Sequence, residues 1–209
     1  MDGTTLQRMA RIVSDLVRHP TDILRYIRNM PLSGKQPLEI ELPWFSYRAI
    51  DFLSKLVSTN AVVFEWGGGG STIFWSKLVK QVICVESSKE WADKLESALD
   101  SKKISNVTIL RHPFDSLDEN EFKRSNYLNC IQDFDADLIV VDGYEANNQL
   151  RPLCFYKAEE KIRSGATIVL DDSWRYDSIR AHNRAAKHIV FKSVGPCRYG
   201  VTSTDVFLY

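Results

Sequence analysis

Five acidic residues close apolar runs at places where a β-strand would deliver them to one rim of a sheet: Glu65, Glu86, Asp142, Asp171 and Asp172. Gly67, Gly68, Gly69 and Gly70 follow the first of them, and Ser71 and Thr72 come next. Consecutive glycines let the backbone take positive φ and let a ligand come close to the main chain. A helix opening after them would offer unpaired N–H groups and a partly positive end to a polar or anionic ligand. Glycine-rich turns also serve as plain βα connections, so the loop gains meaning only from its context. Here Glu86 lies about twenty residues after Glu65, the spacing at which the second strand of a βαβ unit turns a carboxylate toward ribose hydroxyls. A carboxylate can accept from both hydroxyls of a vicinal diol.

Five carboxylates on one rim would raise one another's pKa, and a cationic ligand or a metal would relieve them. Asp142, Asp171 and Asp172 supply hard oxygen ligands from two neighbouring strand ends, which suits Mg²⁺. Such an ion would bind a substrate hydroxyl and favour its alkoxide. The alternative is that Asp142 orients a ligand without metal and that Asp171 and Asp172 cap the next element. His182 and His188 are candidates for a general base, or structural helix residues. Tyr144, Trp174, Arg175 and Tyr176 follow two strand ends and could line a pocket for a planar or sugar-like molecule.

These residues need an alternating α/β frame to bring them together. Strands are expected at Ala61–Glu65, Val82–Glu86, Val107–Leu110, Asp137–Asp142 and Ala166–Asp171, with closing strands at Ile189–Phe191 and Val206–Tyr209. Helical periodicity fills Trp44–Val57, Thr72–Lys80, Lys89–Ser101, Asn148–Arg163 and Ser178–Lys187. Alternation of this kind predicts a Rossmann-like, doubly wound α/β fold. Its sheet would be mostly parallel, of about seven strands with the last antiparallel, and with helices on both faces. Segment Asp115–Asp135 is polar and poorly patterned and reads as a mobile or substrate-facing insertion.

Before that frame, Leu6, Met9, Ile12, Val13, Leu16 and Val17 recur at helical spacing, and Ile23, Leu24 and Ile27 form a second stripe after Pro20. Residues 1–42 are therefore expected to be an N-terminal helical extension to a domain over 43–209. Arg8, Arg11, Arg18, Arg25 and Arg28 decorate the stripes. The favoured reading is a cap packed on the domain with a solvated arginine face; the other is contact with a membrane surface or a partner.

The 209 residues suit one domain with a real core, at 44% hydrophobic and 26% charged. A net charge of zero argues against holding DNA or RNA by bulk electrostatics. No apolar run approaches the roughly 20 residues that cross a bilayer, and the N-terminal stretch does not read as a secretory signal. The four cysteines, Cys84, Cys130, Cys154 and Cys197, are too widely spaced for a C-x-x-C pair. Reduced thiols and a cytoplasmic location are the expectation.

The pattern Glu65-x-Gly67-x-Gly69, with Glu86 closing the next strand, resembles the class I S-adenosylmethionine-dependent methyltransferases. Pro43-Trp44, the Glu65–Thr72 loop, Val140–Gly143 and Leu170–Asp172 are similar to a group of small bacterial methyltransferase-like proteins, over roughly Leu42 to Tyr209. The resemblance implies S-adenosyl-L-methionine as cofactor, held by Glu65, Gly67, Gly68, Gly69, Ser71, Thr72, Glu86, Asp115 and Asp142. Glu65 would sit near the amino end of the methionine moiety, and Arg111, His112 and Asp115 where the family contacts adenine; Asp115 reads equally as a turn residue. Asp142, Asp171 and Asp172 would be catalytic, with Mg²⁺ among them as in the catechol-type O-methyltransferases. That group has a lysine three residues after the first Asp, where this chain has Glu145.

The implied reaction is O-methylation of a small-molecule or saccharide hydroxyl, and the similar proteins suggest glycan biosynthesis. Two alternatives stand beside it. One is a non-catalytic protein that keeps the fold and the ligand. The other is a nicotinamide oxidoreductase, which needs G-x-G-x-x-G or Tyr-x-x-x-Lys; Tyr156 and Tyr176 have Glu160 and Arg180 four residues on. Nucleic acid is not expected as the acceptor, because the chain has no Asn/Asp-Pro-Pro-aromatic sequence and no Pro-Cys pair after the fourth strand.

Overall fold

The computed structural model describes residues 4–30, 35, 37–114, 116, 118–145, 147 and 149–209. Helix α1 (Thr5–Arg18) opens on a capping box in which Thr4 Oγ1 accepts from Gln7 N and Gln7 returns a bond to Thr4 N. α2 (Asp22–Arg28), α3 (Pro37–Ile40) and α4 (Tyr47–Leu56) precede the sheet. The alternation then runs β1 (Val62–Trp66), α5 (Gly70–Ser76), β2 (Gln81–Glu86), α6 (Lys89–Ser101) and β3 (Val107–Arg111). It continues through α7 (Glu119–Arg124), α8 (Asn126–Asn129), β4 (Leu138–Val141), α9 (Leu150–Lys161), β5 (Thr167–Asp171), α10 (Asp177–Ala181), β6 (Lys187–Val194) and β7 (Val201–Leu208).

The seven strands lie in the order β3-β2-β1-β4-β5-β7-β6. The first five run parallel, and β7 is antiparallel to both β5 and β6. This is the expected doubly wound sheet. Its strand order reverses at β1, so the crevice between the ends of β1 and β4 is the place for a ligand.

The period of two decides which side chains enter which layer. Phe64, Trp66, Ile83, Val85, Ile139 and Val141 face the core covered by α8 and α9. Val63, Val82, Leu138, Val140 and Val169 face the core shared with α4. That second core also takes Ile12 of α1 and Tyr26 of α2, so the N-terminal helices pack on the sheet edge at β6 and β7. Asp15 of α1 accepts the Val194 amide at 2.9 Å. The outer face of these helices is not simply a solvated arginine face. Leu6, Met9, Val13, Val17, Leu24 and Ile27 are all exposed there, while Arg25 is held by Asp22 and Asp51. Among the described residues, no helix is long and apolar enough to cross a membrane.

Several boundaries differ from the sequence reading. α5 starts at Gly70 rather than Thr72, because Thr72 Oγ1 accepts the Gly69 amide and closes the first turn early. The stretch expected as one helix over Ser178–Lys187 is a single turn and a half, and β6 begins at Lys187. β6 and β7 are each eight residues long. Their length was hidden by polar residues, Ser193, Thr202, Ser203, Thr204 and Asp205, which are buried but hydrogen-bonded. The polar segment before β4 folds into α7 and α8, packed through Phe122, Tyr127 and Leu128.

Candidate active site at the carboxyl ends of the strands

A cavity of about 600 Å³ opens beyond β1, β2 and β4, within the size range of cofactor sites. Gly67–Gly70 and Ser71 form one wall, Glu86, Ser88 and Trp91 a second, and Asp142, Gly143 and Tyr144 a third.

The glycines do different jobs. Gly67 has φ +88°, and a Cβ there would meet the Gly143 Cα at 2.6 Å. A Cβ on Gly143 would in turn meet the Tyr127 hydroxyl at 1.9 Å. These two glycines let the β1 and β4 ends touch. A Cβ on Gly68 would strike Cys84 Sγ at 2.5 Å. Gly69 lines the cavity and has room for a Cβ, whose nearest neighbour would be the Trp91 ring at 3.9 Å, an ordinary contact. The amides are also divided: Gly67 N donates to Val85 O, Gly68 N to Glu86 Oε2 and Gly69 N to Thr72 Oγ1. The donors left for a ligand are therefore the first-turn amides of α5, at Gly70 and Ser71, which have no carbonyl four residues back within the helix.

Glu86 is nearly buried and lines the cavity. Its oxygens accept from Gly68 N at 3.1 Å and Ser88 N at 2.8 Å, which fixes the carboxylate at the cavity wall with lone pairs to spare. Trp91, on the first turn of α6, donates from Nε1 to Gly68 O at 2.6 Å and walls the same space. Trp66, between Glu65 and the glycines, stays out of that wall. It is core: fully buried, edge-on to Phe64, with Nε1 donating to Tyr127 O.

Glu65 lies behind the loop, not in the cavity wall. Strand alternation turns it to the α5 face between Cys84 and Val140, and it is fully buried. Neither carboxyl oxygen has a hydrogen-bond partner among the described residues. Burial pushes its pKa up to about 8, the Ser71 and Thr72 hydroxyls oppose the shift, and Asp142 and Glu86 add to it. The direct contact with a cofactor amino group expected of Glu65 is thus not set up by its position. Asp115 lies outside the described residues.

Asp142, Asp171 and Asp172 do come together with the β4 and β5 ends, but arginines reach them first. Arg151, on the first turn of α9, pairs with Asp142 Oδ1 at 2.9 Å and donates to the carbonyls of Asp142, Gly143 and Asp171. Arg198, in the turn between β6 and β7, holds Asp171 Oδ2 and Asp172 Oδ1, both at 2.7 Å. Arg175 lies 3.5 Å from Asp172 Oδ2. Thr204 and Thr202 donate to Asp171 and Asp172 in turn. Burial raises Asp142 against Arg151 and Arg198, and burial with Asp142 raises Asp171. For Asp172 burial is outweighed by Arg198, Arg151 and Arg175, which hold it below the usual carboxylate range.

This arrangement corrects the metal reading. The excess negative charge expected to recruit Mg²⁺ is met by three arginines. Among the described residues, no three acidic, histidine or cysteine side chains gather as metal ligands. Asp171 is fully buried with both oxygens bonded, so it serves as an anchor for Arg198. Asp142 remains available: it lines the cavity, and its Oδ2 makes no hydrogen bond among the described residues.

Glu145, which stands where the catechol-type enzymes have lysine, caps α9 instead. Its carboxylate accepts from Gln149 N, Leu150 N and Arg151 N and from the Tyr176 hydroxyl. An acid suits that place because the helix start is partly positive. Neither candidate histidine reaches the cavity. His182 bonds to Ser178 O, and His188 pairs with buried Asp205 while stacked on Phe207.

No protein-family model matches the chain, and no curated protein matches it by sequence. Solved structures do match. An rRNA methylase from Streptococcus thermophilus superposes with a TM-score of 0.56 at 14% identity, covering 84% of this chain and 98% of its own. A Streptococcus mutans chain solved in complex with SAH does so at 0.56 and 14%, covering 83% and 98%. A precorrin-6y C5,15-methyltransferase from Geobacter metallireducens reaches 0.57 at 13%, covering 78% and 87%. The chain therefore has the class I methyltransferase fold, and the strand order and the cavity at its switch point agree with it.

Proposed function

We infer that the chain is an S-adenosylmethionine-dependent methyltransferase acting on a hydroxyl of a small molecule or saccharide. One observation carries this reading. The cavity beyond β1 and β4 joins a glycine loop, a helix start and a wall-fixed carboxylate at the place where this fold takes its ligand. The residues fit the cofactor. Glu86 would accept from its ribose hydroxyls, the Gly70 and Ser71 amides would meet its carboxylate, and Trp91 would cover it. They do not fit Mg²⁺, whose ligands are spent on arginines.

When bound, S-adenosylmethionine supplies an electrophilic methyl carbon on a cationic sulfur. The chain's own contribution is to align the acceptor oxygen and to take its proton. Asp142 is the group placed for the second task, since burial raises its proton affinity and one oxygen is free toward the cavity wall. Arg151 orients it through the other oxygen. Ring-bearing acceptors are supported by Trp44 and Tyr144, which line the same cavity.

The test is calorimetric titration with S-adenosylhomocysteine, with NAD⁺ as the rival ligand. Binding of the former alone is expected, with affinity unchanged by added Mg²⁺ and lowered about tenfold or more in Glu86→Ala, as for loss of a charged hydrogen-bond acceptor. Binding of NAD⁺ instead, or a Glu86→Ala variant with full affinity, overturns the reading.

A further inference from the structure

A second cavity, of about 410 Å³, adjoins the first. Trp44, Arg175 and Arg198 line both, so the two spaces share a wall. The second is closed by α1, by the turn after β5 and by the β6–β7 turn, which bring Arg8, Arg11, Trp174 and Tyr199 to it. Among the described residues, no acidic residue lines it.

The charge balance singles this cavity out. Asp142, Asp171 and Asp172 are matched by Arg151, Arg175 and Arg198. Arg8 and Arg11 are surplus to that balance. They stand three residues apart on one face of α1, and neither has an ion-pair partner among the described residues. Buried Ile12 pins the helix beside them. Guanidinium groups with no carboxylate partner, set around a space walled by tryptophans, suit a phosphate ester whose ring stacks on the aromatics.

We propose that this cavity is the acceptor subsite and that it selects a phosphorylated molecule, Arg8 and Arg11 holding the phosphate while Trp44 and Trp174 hold the ring. The proposal rests on the methyltransferase reading only for the word acceptor; the phosphate site itself does not depend on it. The phosphate can belong to a soluble sugar phosphate or to a lipid-linked one. The exposed Leu6, Met9, Val13 and Val17 beside Arg8 and Arg11 make the lipid source a concrete arm of the test.

The experiment titrates the full chain, loaded with S-adenosylhomocysteine, with glucose 1-phosphate and with glucose, following tryptophan fluorescence. In parallel it uses phosphatidylcholine vesicles with and without phosphatidylglycerol. The phosphate ester is expected to bind at least tenfold tighter than the sugar. Arg8→Gln with Arg11→Gln should erase that preference and leave S-adenosylhomocysteine affinity within about twofold. Both side chains are exposed on a helix, so the pair of changes leaves folding intact. If only vesicles containing phosphatidylglycerol bind, and the double variant abolishes this, the phosphate is the lipid-linked one. Equal affinity for ester and sugar with no such vesicle binding, or a preference that survives the double variant, overturns the proposal. Failure to bind S-adenosylhomocysteine, with the phosphate preference intact, would sink the methyltransferase reading instead.

Discussion

The two neighbouring cavities are built in opposite ways. The larger one has a local centre, since β1, its glycine turn and α5 are contiguous in the chain and β2 adds Glu86 within about twenty residues, while Trp44, Asp142 and Arg198 complete its walls from elsewhere in the chain. Its charged groups are paired or hydrogen-bonded and the Gly67, Gly68 and Gly69 amides are bonded, which leaves the Gly70 and Ser71 amides and Asp142 Oδ2 for a ligand. The smaller one is assembled from α1, the turn after β5 and the β6–β7 turn, nearly two hundred residues apart in the chain. Its outer cations, Arg8 and Arg11, have no ion-pair partner among the described residues. A space whose charges are paired recognises by shape and a few fixed donors and acceptors, whereas one that keeps unpaired charge suits a ligand of the opposite charge.

Arg198 is where the two regimes meet, and replacing it breaks the comparison most sharply. It neutralises Asp171 and Asp172 at once and stands against Trp44. Arg198→Gln leaves two largely buried carboxylates short of a cation, and breaking one such pair costs about 3–5 kcal/mol. Chemical denaturation should therefore show a large loss of stability for Arg198→Gln and almost none for Arg8→Gln, which is exposed and unpaired. Similar losses for both would mean that the arginines form one structural network and that the distinction between spent and free cations is false.

That division also marks what could be read in the chain. The loop and the five acids, Glu86 among them, announce themselves because they end apolar runs, and period-two alternation is a local signal. The partners of those acids did not announce themselves. Arg151 reads as one more polar residue in a helix and Arg198 as part of a polar turn, and only the folded contacts pair them with Asp142, Asp171 and Asp172. The hint was arithmetic: acids crowded on one rim need cations, and a metal is not the sole source. β6 and β7 were underread for the same reason, since Thr202, Thr204 and Asp205 are buried as hydrogen-bonding groups rather than as apolar ones. Arg8 and Arg11 were visible as part of an arginine-decorated helix, but their convergence on a cavity depends on how α1 docks.

Glu65 sharpens the contrast from the other side, as a fully buried rim acid that faces no cation, with only the Ser71 and Thr72 hydroxyls to oppose its shift. Its folded pKa of about 8 stands above the ordinary 4.5. Below pH 4.5 both folded and unfolded chains keep this proton. Between there and pH 8 the unfolded chain releases it first, so stability falls as pH rises through that window, by roughly 5 kcal/mol in total. Glu65→Gln keeps the shape and removes the titration. Thermal melts from pH 5 to pH 9 should show the variant gaining on the parent as pH rises, with the difference levelling above pH 8. Parallel profiles would mean that Glu65 is ionised in the fold and has a partner within the loop.

The smallest effect separates structure from ligand space inside the glycine loop itself. Gly67→Ala must hold an L side chain at φ +88° with its Cβ 2.6 Å from the Gly143 Cα, where the neighbour is backbone and cannot swing away. Strain of this kind costs about 1–3 kcal/mol, and the variant should melt several degrees lower. At Gly69 the φ of 167° is ordinary extended backbone, and the nearest atom to a new Cβ is 3.9 Å away on Trp91. Gly69→Ala should therefore melt within about 0.5 kcal/mol of the parent and still bind S-adenosylhomocysteine more weakly, because its methyl group occupies cavity space. If Gly69→Ala binds as the parent does, the cavity's ligand does not touch the loop there, and Gly69 owes its place to the turn alone.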